Sequence, residues 1–89
     1  DQNFLKNKKI IRTRLEKEGL EYVWVKCARK VNANIKLNNS ICHYYVPDSL
    51  FGNHVYSMDK GIRYITRKLK NTPNIEYDFV SPNLFIIHL

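Results

Sequence analysis

The clearest hydrophobic pattern in the chain lies between residues 57 and 70. Apolar side chains recur there every three or four residues, the period of an α-helix with one buried face, at Met58, Ile62, Ile65 and Leu69. Ser57 is a favourable N-cap, and Asp59 places negative charge in the first turn, where the helix dipole favours it. The pattern predicts an amphipathic helix over residues 57–70.

The first third of the chain is less regular and predicts two helices that meet at Gly19. Over residues 5–18 only Ile11 and Leu15 have helical spacing, so we expect a peripheral helix there, ended by Gly19 in a left-handed conformation. Residues 20–36 support two interpretations, because residues 22–25 are typical of a strand while several apolar positions share one helical face. We predict a helix and keep the strand as the alternative. The positions on that face are Leu20, Trp24, Cys27, Val31 and Ile35.

Segments rich in aromatic and β-branched residues predict strands at residues 41–46, 75–80 and 84–89. No proline precedes Pro47 and no low-complexity linker divides the chain, so we expect one α+β domain over residues 1–89. In this fold about three helices pack on one face of a three-stranded antiparallel sheet. The order helix, strand, turn, basic helix, hairpin is also that of a winged-helix domain, in which the helix before the hairpin enters a DNA major groove.

The last predicted strand is apolar on both of its faces. Alternation places Leu84 and Ile86 on one side and the other apolar residues of the strand on the opposite side. Such a strand must be central, covered by a helix or covered by a partner. Helices on one face of a sheet can bury only one of these sets unless the first helix folds across the back, and a terminal edge strand offers unpaired backbone groups. We therefore predict a partner interface, for a second copy of the chain or another protein, at Phe85, Ile87 and Leu89.

Positive charge is confined to two segments of the sequence. Residues 1–36 carry ten Lys and Arg against four Asp and Glu, and residues 56–70 carry five against one, within a net charge of +7. Segregated charge is typical of a small protein that presents one face to a polyanion, most often nucleic acid. We predict a non-enzymatic module that contacts the nucleic-acid backbone through Lys26, Arg29, Lys30, Lys60, Arg63, Arg67, Lys68 and Lys70.

The same basic residues would also suit two different roles. Arg63, Arg67 and Lys68 are equally typical of a solvated helix face. A basic face can instead dock on an acidic protein, which would make the chain a small structural subunit of a larger assembly such as a virion. Aromatic side chains near these charges are candidates for stacking on bases, although core packing is the stronger expectation in so small a domain. They are Tyr22, Trp24, Tyr44, Tyr45, Tyr64 and Tyr77.

The sequence offers little for catalysis or for binding a metal ion. It has no Gly-rich phosphate loop, no paired-carboxylate motif and no Ser in a nucleophile elbow. Cys42 and His43 would point to opposite faces of a strand, and Cys27 and Cys42 lack Cys-x-x-Cys spacing, so we expect two reduced core thiols. We expect no enzymatic activity, no cofactor, no metal and no membrane partner.

From Cys27 onward, a set of residues carries a resemblance to a known family. They are Cys27 with Lys30-Val31, Cys42-x-Tyr44-x-Val46-Pro47, Gly52, Tyr56, the Ile62-Ile65-Leu69 helix and the closing Pro82-Asn83-Leu84-Phe85-Ile86. With this pattern the chain resembles a family of small uncharacterised proteins encoded by large nucleocytoplasmic DNA viruses. The resemblance implies a viral origin, an α+β fold and no inherited activity. It also implies an intracellular location, in the virion or in the cytoplasm or nucleus of an infected cell.

Overall fold

The computed structural model describes the backbone of residues 2–89 and the side chains of residues 7–89; Asp1, the first residue of the predicted domain, lies outside the described part. The described residues form two helices and three strands. In chain order these are α1 (Gln2–Lys36), β1 (Ile41–Tyr45), α2 (Met58–Lys70), β2 (Glu76–Val80) and β3 (Leu84–His88). The predicted α+β class and three-stranded antiparallel sheet are confirmed.

The predicted count of about three helices is wrong, because the two N-terminal helices are one. Helix α1 runs without interruption for 35 residues, about 52 Å at 1.5 Å per residue. Gly19 lies inside it and is buried, where a Cβ atom would stand 2.7 Å from Nδ2 of Asn53. The glycine therefore permits a loop to pack closely against the helix. It does not end the helix.

The end of α1 is set by asparagine. Asn38 adopts a left-handed conformation with φ of 60°. Its N–H donates to the carbonyl of Ile35 at 3.0 Å, and the N–H of Asn39 donates to the carbonyl of Asn34 at 2.9 Å. This pair of bonds is the Schellman arrangement, which satisfies the last carbonyls of a helix. The helical prediction for residues 20–36 is confirmed, and the strand alternative is wrong.

The buried face of α1 is rotated from the predicted one. Val23, Cys27 and Val31 are buried, Leu20 and Trp24 are only partly buried, and Ile35 is 52% exposed. Each step of four residues advances about 40° around a helix, so positions three such steps apart diverge by roughly 120°. Ile35 has turned away from the sheet for this reason.

Strand β3 lies in the middle of the sheet, in the order β1-β3-β2, with Phe85 opposite both Tyr44 and Phe79. Phe85 and Ile87 are completely buried, while Leu89 is 37% exposed. The predicted partner interface is therefore wrong at Phe85 and Ile87, because the helices cover this side of the sheet. Strand addition at β3 is excluded too, since both of its edges are paired.

Helix α2 follows its sequence pattern closely. The Ser57 hydroxyl oxygen accepts a bond from the N–H of Lys60 at 3.4 Å, and Asp59 lies in the first turn. Ile65 and Leu69 are buried, and Met58 and Ile62 are packed against the core from its edge. The core joins α1, β1, α2 and β3 through Val23, Cys27, Val31, Cys42, Tyr44, Val46, Tyr56, Ile65, Leu69, Phe85 and Ile87.

Candidate nucleic-acid interface

A groove of about 460 Å³ runs between α1 and α2, and most of its charged side chains are basic. Helix α1 contributes four residues spaced by three or four positions along one stretch of the helix, and α2 contributes four more, so each helix presents a single face to the groove. We call this the interhelical groove. It is lined by Thr13, Glu16, Lys17, Leu20, Lys60, Arg63, Tyr64 and Arg67.

The position of the α2 residues follows from the core. Ile65 and Leu69 define the buried side of the helix. Arg63 precedes Ile65 by two residues, and Arg67 precedes Leu69 by two residues, so each arginine is rotated about 200° around the helix axis from the buried residue that follows it. Both arginines are exposed. The hydrophobic stripe that holds α2 on the sheet therefore aims its arginines away from the core.

One acidic side chain lines the interhelical groove, and it is already engaged. Nζ of Lys60 donates to Oε2 of Glu16 at 3.3 Å, between side chains that are 37% and 42% exposed. Such an exposed pair fixes geometry more than it stabilises the fold. Arg63 uses Nε to bond the Asp59 carbonyl at 3.4 Å. Within residues 7–89, Lys17, Arg63 and Arg67 form no ion pair with a carboxylate.

The structure separates the predicted basic residues into two groups. Lys60, Arg63 and Arg67 line the interhelical groove. Lys68 lies at its margin, where Nζ stands 5.4 Å from the centroid of the Tyr64 ring, and Lys70 is exposed in the last turn of α2.

The second group, on α1, lies away from the groove. Lys26 is nine residues from Lys17, about 180° around α1, and Arg29 and Lys30 are also turned well away from Lys17. All three side chains are exposed. Nζ of Lys26 stands 5.6 Å from the ring centroid of Tyr22, on the side of α1 that faces the loop before α2. The two predicted helical faces therefore do not form one surface.

Residues 2–70 match the family of unknown function DUF5759, which is more than half of the chain. The chain belongs to this family. The matched residues include α1, β1 and α2, and hence every residue of the interhelical groove, whereas the hairpin β2–β3 lies beyond them. No curated protein and no solved structure matches the chain. Among the described residues, no helix has the length and apolarity needed to cross a membrane.

Sequence reasoning missed Lys17 and Glu16 as members of the site. Both lie in the segment predicted as a separate peripheral helix, so nothing aligned them with α2. A continuous helix through Gly19 would have placed Thr13, Lys17 and Leu20 on one face, spaced by four and three residues. Tyr64 was a candidate for base stacking, with core packing as the stronger expectation; it is partly buried and lines the groove.

The nucleophilic side chains of the core hold their protons near neutral pH, because burial raises their pKa values. Burial raises the pKa of Cys27 to about 12, and burial likewise raises the pKa of Cys42. Burial also raises the pKa of Tyr56 to about 12. Both cysteines are free and buried, which confirms the prediction of reduced core thiols. Within the described residues no three His, Cys, Asp or Glu side chains are grouped so as to hold a metal ion.

Proposed function

We propose that this chain is a non-enzymatic nucleic-acid-binding module that holds backbone phosphates in the interhelical groove. The observation that carries the proposal is a set of cations that pair with no carboxylate among residues 7–89. Lys17, Arg63 and Arg67 converge from two helices, and the acidic side chain that lines the groove is bonded to Lys60. A polyanion gains most from cations that have no competing carboxylate, because it releases its own counterions on binding.

The arginines suit a phosphate ligand. A guanidinium group presents a planar set of donors that matches phosphate oxygens, and it matches carboxylates equally well, so the preference for nucleic acid rests on the unpaired cations of the groove and on Tyr64. Tyr64, beside the arginines, supplies an aromatic face against which a base or a sugar can pack.

The winged-helix arrangement is a finer part of the proposal. The order of elements and the position of α2 before a hairpin support it, and α2 exposes Arg63 and Arg67 on its outer side. Two features limit it. Residues 47–57 contain no helix, and the hairpin turn folds back so that the Asn83 side chain donates to the Val46 carbonyl at 2.8 Å. We therefore propose contact through the backbone of the nucleic acid, with no wing reaching along it.

A basic residue in the last turn of a helix has a structural role as well. Arg67, Lys68 and Lys70 all lie in the last turn of α2, where positive charge stabilises the helix dipole. Lys17 does not share that explanation, since it lies in the interior of α1. Its presence in the groove is what favours binding over helix stabilisation alone. A viral origin and an intracellular setting remain part of the proposal and rest on the resemblance of the sequence.

The salt dependence of binding tests the proposal. With three or four phosphates neutralised, the log–log slope of affinity against salt is expected near roughly −3 to −4 for duplex DNA, and shallower for a single strand. The affinity should differ little between unrelated duplex sequences, because the groove offers cations and few base-reading groups. Fluorescence anisotropy with labelled duplexes of different sequence measures both quantities. A slope near zero would contradict the proposal.

A further inference from the structure

The loop before α2 displays a phenylalanine in full contact with solvent. Phe51 is 109% exposed, at the tip of a turn closed by the bond from the Asn53 N–H to the Leu50 carbonyl at 3.0 Å. Gly52 follows with φ of +79°, which a type II turn requires at this position. A single exposed apolar residue is ordinary on a protein surface, so Phe51 gains significance only from what lies around it.

The turn is held firmly against α1. Nδ2 of Asn53 donates to the Leu15 carbonyl at 2.7 Å, and Oδ1 of Asn53 accepts from the N–H groups of Val55 and Tyr56 at 3.1 and 3.2 Å. These three bonds tie one side chain to the helix and to the loop that follows. Phe51 is thus presented from a braced turn, and a rigid aromatic loses little entropy when a partner covers it.

An apolar groove lies beside this turn on the same side of α1. Its volume is about 410 Å³, and Ile11 and Leu15 form its apolar part. Ile11 is 56% exposed, although it is a large hydrophobic residue. Lys8, Arg12 and His54 line the same groove and give it a basic rim. We call it the Ile11 groove; none of its residues belongs to the interhelical groove.

The surroundings of Phe51 carry two carboxylates against one cation, Lys26, which stands over the Tyr22 ring. Glu18, Tyr22 and Phe51 line the same surface depression. Asp48 lies three residues before Phe51 in the same loop. Carboxylates at this place would repel phosphate, so a nucleic acid is a poor occupant for this surface. An apolar side chain flanked by acids matches an apolar groove with a basic rim.

We propose that this surface binds a second copy of the chain, with Phe51 of each copy inserted in the Ile11 groove of the other. Leu15 and Tyr22 are seven residues apart, nearly two turns, so the groove and the aromatic projection lie on one side of α1, roughly 10 Å apart along its axis. A two-fold axis between them, relating antiparallel α1 helices, brings each projection to the other copy's groove and makes the interface self-complementary. The acidic surroundings of each Phe51 then meet the basic rim of the other copy's groove.

The dimer leaves the interhelical grooves free, because they lie on another side of α1. At Phe85 and Ile87 the partner interface predicted on β3 is buried in the fold, whereas the surface proposed for the dimer is exposed to solvent. The inference is independent of the proposed function, since the two surfaces share no residue.

Sedimentation equilibrium over a wide range of concentration tests the inference. The chain is expected to approach twice its mass of 10.6 kDa as concentration rises. Phe51→Ala should weaken dimerisation about 30-fold or more, as for an interface hot-spot residue, without changing the thermal melting of the monomer. Leu37→Ala is the matched control: Leu37 is 73% exposed, lies just past the end of α1 outside both surfaces, and should leave dimerisation unchanged.

Charge reversal tests the orientation of the two copies. Glu18→Lys and Arg12→Glu should each weaken the dimer, and the double variant should recover part of the affinity, because the surroundings of Phe51 and the rim of the groove again contribute one charge of opposite sign each. A wild-type chain that stays monomeric at every concentration would overturn the inference. So would a dimer unaffected by Phe51→Ala, and a double variant weaker than both single variants would overturn this pairing of surfaces.

Discussion

Replacing Gly19 by alanine tests the continuous helix and the loop packed against it. In the interior of a helix this change normally stabilises by about 1 kcal/mol, because alanine loses less backbone entropy on folding. In this chain the new Cβ would stand 2.7 Å from Nδ2 of Asn53, 3.3 Å from Cδ1 of Leu50 and 3.5 Å from Cβ of Tyr56. The contact with Tyr56 is at an ordinary packing distance, and the contact with Leu50 requires its side chain to shift by a few tenths of an ångström. The contact with Nδ2 requires the Asn53 side chain to move.

The displaced Asn53 side chain determines the size of the effect. It forms three hydrogen bonds, to the Leu15 carbonyl and to the N–H groups of Val55 and Tyr56. At about 1 kcal/mol each, losing them costs roughly 3 kcal/mol, which exceeds the helix-propensity gain. We expect Gly19→Ala to destabilise the fold by about 2 kcal/mol net, a fall of roughly 8–16 °C in melting temperature for a domain of this size.

A double-mutant cycle with Asn53→Ala separates this mechanism from others. Once Asn53 is truncated, the clash is gone, and Gly19→Ala should stabilise by about 1 kcal/mol. Urea unfolding followed by far-UV circular dichroism measures all four free energies of unfolding. If Gly19 instead ended a helix in a left-handed conformation, alanine would destabilise in both backgrounds. Stabilisation by Gly19→Ala in the wild-type background would refute the packing argument.

Two further predictions concern the core. Val31→Asp should unfold the domain, because it buries a charge at a position that is only 7% exposed. Lys30→Asp replaces an exposed residue of α1 and should change the free energy of unfolding by about 0.5 kcal/mol or less. Urea titration compares the two variants, and similar destabilisation by both would be inconsistent with the helix. Raising the pH from 9 towards 12 should weaken the fold. Cys27 keeps its proton in the core, with a pKa raised from 9.0 to about 12, while the unfolded chain releases it. Relative to pH 9, the loss at about pH 10 is about 1 kcal/mol from this thiol alone. A flat stability curve over this range, from urea titrations at several pH values, would contradict it.

Local patterns predicted α2 and the sheet well. The helical periodicity that includes Ile65 and Leu69, with Ser57 as the N-cap, predicted α2 correctly. Enrichment in aromatic and β-branched residues predicted strand bounds within one residue of those found. The failures have tertiary causes. Gly19 has the sequence signature of a helix end, and only the approach of Asn53 from a distant loop explains a glycine inside the helix.

The position of β3 could not be deduced from its own residues. Both of its faces are apolar, which fits a central strand as well as an uncovered edge strand, and the choice depends on pairing with β1. For the candidate site as well, local sequence could not show which residues of α1 lie beside α2. The basic character of α2 was evident, but its neighbour on α1 is Lys17 and not Lys26, because the rotation of α1 is set by Val23 and Cys27 in the core.

The most direct test of the proposed function compares two triple variants of equal charge. One removes the free cations of the interhelical groove, Lys17→Ala, Arg63→Ala and Arg67→Ala. The other removes three cations from the far side of α1, Lys26→Ala, Arg29→Ala and Lys30→Ala. Anisotropy with one labelled duplex in about 0.1 M salt measures each affinity. We expect a loss of roughly two to three orders of magnitude from the groove variant, with a correspondingly shallower salt slope, and a change of only a few-fold from the other. Equal losses from both would show that net charge, and not the groove, binds the nucleic acid.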